Sequence, residues 1–113
     1  MLSKQNRLPS VVIPVAMRTG KRVFADAFQM TIVSNTLPVS RFACIVSKKI
    51  AKHAVDRNRM KRIVSESIRL LLPKIKPGFD CVIVAKKNFS DSNTKDVETV
   101  IHEMLEKNNL LMP

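Results

Sequence analysis

Residues 41–85 read RFACIVSKKIAKHAVDRNRMKRIVSESIRLLLPKIKPGFDCVIVA, and the hydrophobic period changes twice within them. At 41–47 it is two: Phe42, Cys44 and Val46 share one face of a strand. From Asp56 to Leu72 it is helical, with Met60, Ile63, Val64, Ser67, Ile68 and Leu71 on one stripe. Asp56 is the candidate N-cap, and Pro73 blocks continuation. Lys76, Pro77 and Gly78 make a turn. The almost wholly apolar run 80–85 (DCVIVA) then predicts a strand covered on both faces. Strand, basic helix and buried strand in succession imply a sheet with helices packed against it.

Outward from this unit, residues 28–34 (FQMTIVS) form another alternating strand, with Phe28, Met30 and Ile32 on one face. Residues 35–40, containing Leu37-Pro38, read as a hairpin loop joining it to the strand at 41–47. A short extra strand fits near residues 22–25. Residues 1–10 look irregular, and 11–19 form a short helix if Pro14 occupies its first turn. After a loop at 88–92 with capping residues comes a helix over 93–107. There Val97, Val100, Ile101, Met104 and Leu105 form one stripe, and Asp96 and Glu98 lie near the positive end. No repeat or flexible linker divides the chain. The expected architecture is a single α/β domain over 1–113, an α+β sandwich in the order α-β-β-β-α-β-α, with a basic crossover helix beside a central sheet.

Composition narrows the function. In 113 residues, 45% are hydrophobic and the mean hydropathy is −0.01, enough to build a core and too little for disorder. No apolar run approaches the roughly 18 residues that span a bilayer. The apolar stretch 11–17 carries Pro14 and no small-residue cleavage site, so it does not read as a signal peptide. Cys44 and Cys81 lie in apolar strands without metal-ligand spacing, which suits a reduced, cytoplasmic protein with small apolar thiols.

Charge is the stronger signal. The net charge is +11 and the pI about 10.3, the balance expected of a nucleic-acid binder. Its distribution is uneven: residues 48–69 hold eight basic and two acidic residues, while 88–113 hold two and five. On a helical wheel Asn58, Lys61, Arg62, Ser65 and Arg69 fall in one sector away from the apolar stripe. Arg57 and Arg59 flank it, and Arg59 is expected opposite Ile63. Such a comb suits phosphates, since Arg offers paired donors, Lys a mobile charge and Asn both donors and an acceptor. A solvated helix face is the bland alternative, but two acids do not neutralise eight cations. The candidate nucleic-acid-binding residues are therefore Lys48, Lys49, Lys52, Arg57, Asn58, Arg59, Lys61, Arg62 and Arg69. Lys86 and Lys87 are weaker extensions of the same face, and Lys4 and Arg7 stand with them. His53, among lysines, reads equally as a phosphate contact or an exposed loop histidine, His102 has no partner at metal spacing, and no nucleophile–base set, phosphate loop or carboxylate cluster appears. No catalytic or metal-binding residue is assigned, which argues against a self-sufficient protein nuclease. The patterns alone leave a nucleic-acid-binding module, either a subunit of a ribonucleoprotein or a ribosomal or general RNA-binding protein, and periodicity does not separate RNA from DNA.

The spacing Ser47-Lys48-Lys49, seven residues, then Arg57-Asn58-Arg59-Met60-Lys61-Arg62 resembles the RNR signature of the bacterial ribonuclease P protein subunit. Asn6-Arg7-Leu8, Gly20, residues 80–87 (DCVIVAKK) and the last helix extend the resemblance over nearly the whole chain. The resemblance implies a sandwich in which the basic helix joins two parallel strands by a left-handed crossover. It also implies that a partner RNA is the catalyst, using Mg2+ at its own active site to remove the 5′ leader of precursor tRNA. The protein would touch that RNA through the crossover helix, and the leader through a cleft between the first helix and the sheet; DNA and membrane are not implied as partners. The sequence departs from the family pattern in lacking aromatics at 11–17, in having a small polar residue near Thr31 where a cleft aromatic is expected, and in having Ser65 after the signature.

Overall fold

Val82 and Ile83 are adjacent in one strand, point to opposite faces, and are both fully buried. A strand so placed must have cover on both faces and neighbours on both edges. The computed structural model, which describes residues 2–113, puts it there. The elements are α1 (Ile13–Thr19), β1 (Lys21–Ala25), β2 (Phe28–Ser34), β3 (Arg41–Ile45), α2 (Ala54–Leu71), β4 (Phe79–Ala85) and α3 (Thr94–Lys107). Tight 3₁₀ turns lie at Lys4–Asn6 and Leu72–Lys74.

The sheet order is β1-β2-β4-β3. β4 pairs antiparallel with β2, Met30 opposite Ile83, and parallel with β3, Cys44 also opposite Ile83. This corrects the hairpin expected at 35–40, because β2 and β3 do not pair. The apolar run of β4 inserts between them, the central place being the one that buries both its faces. The loop is held by an Asx turn, Leu37 N–H donating to Asn35 Oδ1 at 2.8 Å, while Asn35 Nδ2 donates to Asp80 Oδ1 at 2.7 Å.

The sheet separates two apolar clusters. Met30, Phe42, Cys81 and Ile83 pack beneath α2 and α3, with Met60, Val64 and Ile68 from α2 and Ile101 and Leu105 from α3. On the other face Ala16 of α1 packs on Val82, with Ile13, Met17 and Val33 around them. Pro14 sits in the first turn of α1, where its missing N–H costs no helical bond. Asn93 caps α3 by accepting from Asp96 N–H at 2.8 Å.

At α2 the expected cap is corrected. The helix begins three residues earlier than the apolar period suggests, His53 is the N-cap without a side-chain hydrogen bond, and Asp56 lies inside the first turn. There its charge still faces the positive helix end. The irregular start expected at 1–10 is a strap along the outer edge of β3; Met1 lies outside the described residues. Leu8 N–H donates to Phe42 O at 2.9 Å and Asn6 Nδ2 to Ser40 O at 2.9 Å. The strap thereby satisfies backbone groups that an edge strand leaves open.

Candidate nucleic-acid interface

Parallel strands joined by one helix end at the same side of the sheet. The segment after β3, the first turn of α2 and the residues after β4 therefore gather at one rim, which brings Lys48, Lys49 and Lys52 to the same end as Lys86 and Lys87. All five are exposed. Lys86 is tied to the β1–β2 turn by its N–H, which donates to Ala27 O at 2.7 Å.

Arg57 is half-buried and turns back toward this rim. Its Nη1 donates to Ala51 O at 3.0 Å and Lys52 O at 2.9 Å, so it braces the basic segment against α2. Asn58, Lys61 and Arg62 project outward and, with Ser65, line one shallow groove. Arg59 and Arg62 line a second groove with Ile63, Glu66 and Thr94, between α2 and the start of α3. Arg59 is thus not opposite Ile63: residues four apart on a helix differ by only about 40° and share a side. The full opposition is between Arg62, exposed, and Met60, fully buried.

Arg69 stands apart from the rest. It lies on the same sector but nearer the far end of α2, and its Nε donates to the Glu66 carboxylate at 3.2 and 3.1 Å. That hydrogen bond holds the Glu66 carboxyl below its usual range. The other side-chain ion pair among the described residues, Arg41 with Asp80, is remote from α2's outer face. Lys48, Lys49, Lys52, Arg59, Lys61, Arg62, Lys86 and Lys87 therefore have no acidic partner within 4 Å among the described residues. Eight unneutralised cations on one helix and its adjoining rim form an anion-attracting surface.

The other face of the sheet holds residues that the sequence patterns missed. Phe24, Gln29, Val84 and Ile45 form one row across the four strands, on the side of α1. Phe24 is 69% exposed, and Arg22, two residues before it on the same face, is exposed too. An aromatic within a basic strand was the available signal, but the strand's faces were not assigned. Thr31, the small polar residue expected in the cleft, is instead fully buried beneath α1, and its Oγ1 has no hydrogen-bond partner. Burial pushes both thiols up to about 12, Cys44 despite the nearby Lys61 charge and Cys81 with Asp80 adding to it. No group of three His, Cys, Asp or Glu among the described residues could hold a metal ion, and no described helix is long and apolar enough to cross a membrane.

The sequence and the fold of this chain have counterparts among known proteins. The family model for ribonuclease P matches residues 3–109. The chain belongs to the ribonuclease P protein family. A ribonuclease P protein component from Clostridium botulinum (strain Loch Maree / Type A3) is 37% identical over 80% of this chain and 81% of its own length. One from Fusobacterium nucleatum subsp. nucleatum is 36% identical over 81% of this chain and 86% of its own length. The solved ribonuclease P protein of Thermotoga maritima superposes with a TM-score of 0.80 at 25% identity, covering 89% of this chain and 96% of that one. A Staphylococcus aureus ribonuclease P protein mutant with defective mRNA degradation activity gives 0.83 at 22% identity, covering 95% and 91%, a likeness of fold. In this member of the ribonuclease P protein family, the α+β sandwich expected from the sequence is the observed architecture.

Proposed function

We propose that the chain is the RNA-binding subunit of ribonuclease P and assists removal of the 5′ leader from precursor tRNA in the cytoplasm. One observation carries this reading: the exposed face of α2 and the rim beside it hold cations without acidic partners, while the opposite face of α2 is core. Phosphates of the partner RNA would neutralise Lys48, Lys49, Lys52, Arg59, Lys61 and Arg62, with Asn58 donating hydrogen bonds and Lys86 and Lys87 extending the surface. Arg57 serves the same interface by shaping the segment 47–52. Arg69, already engaged by Glu66, contributes least.

The row containing Phe24 suits a different segment of nucleic acid. A single strand such as the leader can lay a base on an exposed aromatic while a phosphate meets Arg22. No residue here is assigned to the bond-breaking step; the reaction belongs to the RNA, with Mg2+ held there. The test is reconstitution. Purified chain plus ribonuclease P RNA should cleave precursor tRNA at physiological salt, and RNA-free chain should not. Specific cleavage by the chain alone would refute the assignment. Recovery of ribosomal RNA alone as the bound species would favour the general RNA-binding alternative.

A further inference from the structure

A hollow of about 220 Å³ opens between α2, the edge strand β3 and the N-terminal strap. Phe42, Val64 and Ile68, each at most 3% exposed, form its floor. Ser65 and the half-buried Cys44 stand on its sides. Arg7 from the strap and Lys61 from α2, both exposed, stand at its mouth, and neither has an acidic partner among the described residues. The strap wall is fixed by Leu8 N–H on Phe42 O and by Asn6, which also accepts from Ser3 Oγ at 2.9 Å.

Size and chemistry restrict the occupant. An apolar cavity of about 150 Å³ already accommodates a benzene ring, so this hollow takes one flat heterocycle and no large ligand. A dry floor with few polar groups at the sides is the usual construction of a small-ligand site. Two cations at the entrance select an anionic group attached to that ring. Lys61 also lies on the outer comb of α2, so a strand following the comb passes the entrance. We propose that this hollow receives one unpaired nucleotide of bound RNA, its base on Phe42, Val64 and Ile68 and its phosphate between Arg7 and Lys61. This rests on the reading of α2 as an RNA-binding face, and adds to it a point at which a single base is withdrawn from the partner.

The test uses the full chain with carbon-13-labelled methyl groups, titrated with uridine 5′-monophosphate and, separately, ribose 5-phosphate. The nucleotide should shift the Val64 and Ile68 methyl resonances saturably, and the sugar phosphate should not. Ser65→Leu and Cys44→Met both fill the hollow; whichever retains a cooperative melt should bind the nucleotide about tenfold more weakly or worse. Equal responses to both ligands would show an anion site only and overturn the proposal, as would no response, or an unchanged response in the filled variants. Salt-dependent binding of ribonuclease P RNA to the same samples separates the two readings. RNA binding without a nucleotide response removes the hollow alone, and no RNA binding removes both.

Discussion

The Arg41 guanidinium holds the Asp80 carboxylate through Nε at 2.9 Å and Nη2 at 2.7 Å, joining the two parallel strands that α2 connects. The two residues are direct partners in the β3–β4 register, and the Asp80 side chain is only 4% exposed. Burial pushes the Asp80 carboxyl up, but the hydrogen bonds from Arg41 and Asn35 and the Arg41 charge outweigh it and hold it below its ordinary value. Asp80→Ala should cost about 1–3 kcal/mol, less than a fully buried pair because Arg41 is partly solvated. The sign with pH follows from the lowered value. The contribution is complete above the unfolded value, near 3.9, and fades as pH falls through the folded one. Urea melts at neutral pH and below pH ~4 should show the parent and Asp80→Ala converging at the acid end.

A β-carbon at Gly20 would lie 2.5 Å from Thr31 Cγ2 and 2.7 Å from Ala16 O. One of those atoms is backbone, so α1 must shift to admit it. Gly20→Ala should destabilise by about 1–3 kcal/mol through overpacking. Thr31→Val should act the other way, by about 1 kcal/mol or more, since it removes a buried hydroxyl without a partner and keeps the shape. Thermal melts of the two variants should move in opposite directions.

Arg62 and Met60 separate binding from folding. Arg62→Ala should weaken RNA binding by about 1–3 kcal/mol and leave the melt nearly unchanged. Met60→Ala should cost about 2–5 kcal/mol of stability and reduce RNA binding only as far as it depletes folded protein. If about five to eight phosphates are neutralised, log K should fall against log salt with a slope of roughly −3.5 to −7, shallower by about one for Arg62→Ala. Titrations over a salt series check both.

Phe24→Ala should lower affinity for precursor tRNA by about 1–3 kcal/mol, the worth of one stacked base. It should leave affinity for the same tRNA without its leader unchanged. Its exposure predicts no loss of stability. Equal weakening of both RNAs would remove Phe24 from the leader surface.

Elements whose pattern is local were legible in the sequence. The stripe from Met60 to Leu71 gave α2 and its phase, 80–85 gave a strand buried on both faces, and Val97 to Leu105 gave α3. Partner choice was not legible, because alternation states which face is buried and not which strand lies alongside. Residues 35–40 therefore suggested a hairpin between strands that β4 in fact separates. The comb was readable as charge at helical spacing. The inward turn of Arg57 and the pairing of Arg69 with Glu66 depend on where carbonyls and neighbouring side chains lie. The hollow beside α2 was hidden for the same reason, since its walls come from residues 2 to 68.

The sheet order also sets a schedule. A chain is synthesised from its N-terminus, and the strand that belongs in the middle is the last of the four to be made. Until residues 79–85 have left the ribosome, β2 and β3 have no common neighbour, and the two halves of the sheet cannot join. By then α2, with its charged outer face, has already emerged. No nascent chain that ends before Ala85 can contain the finished sheet. Its closure waits on contacts distant in sequence, the slow kind in folding.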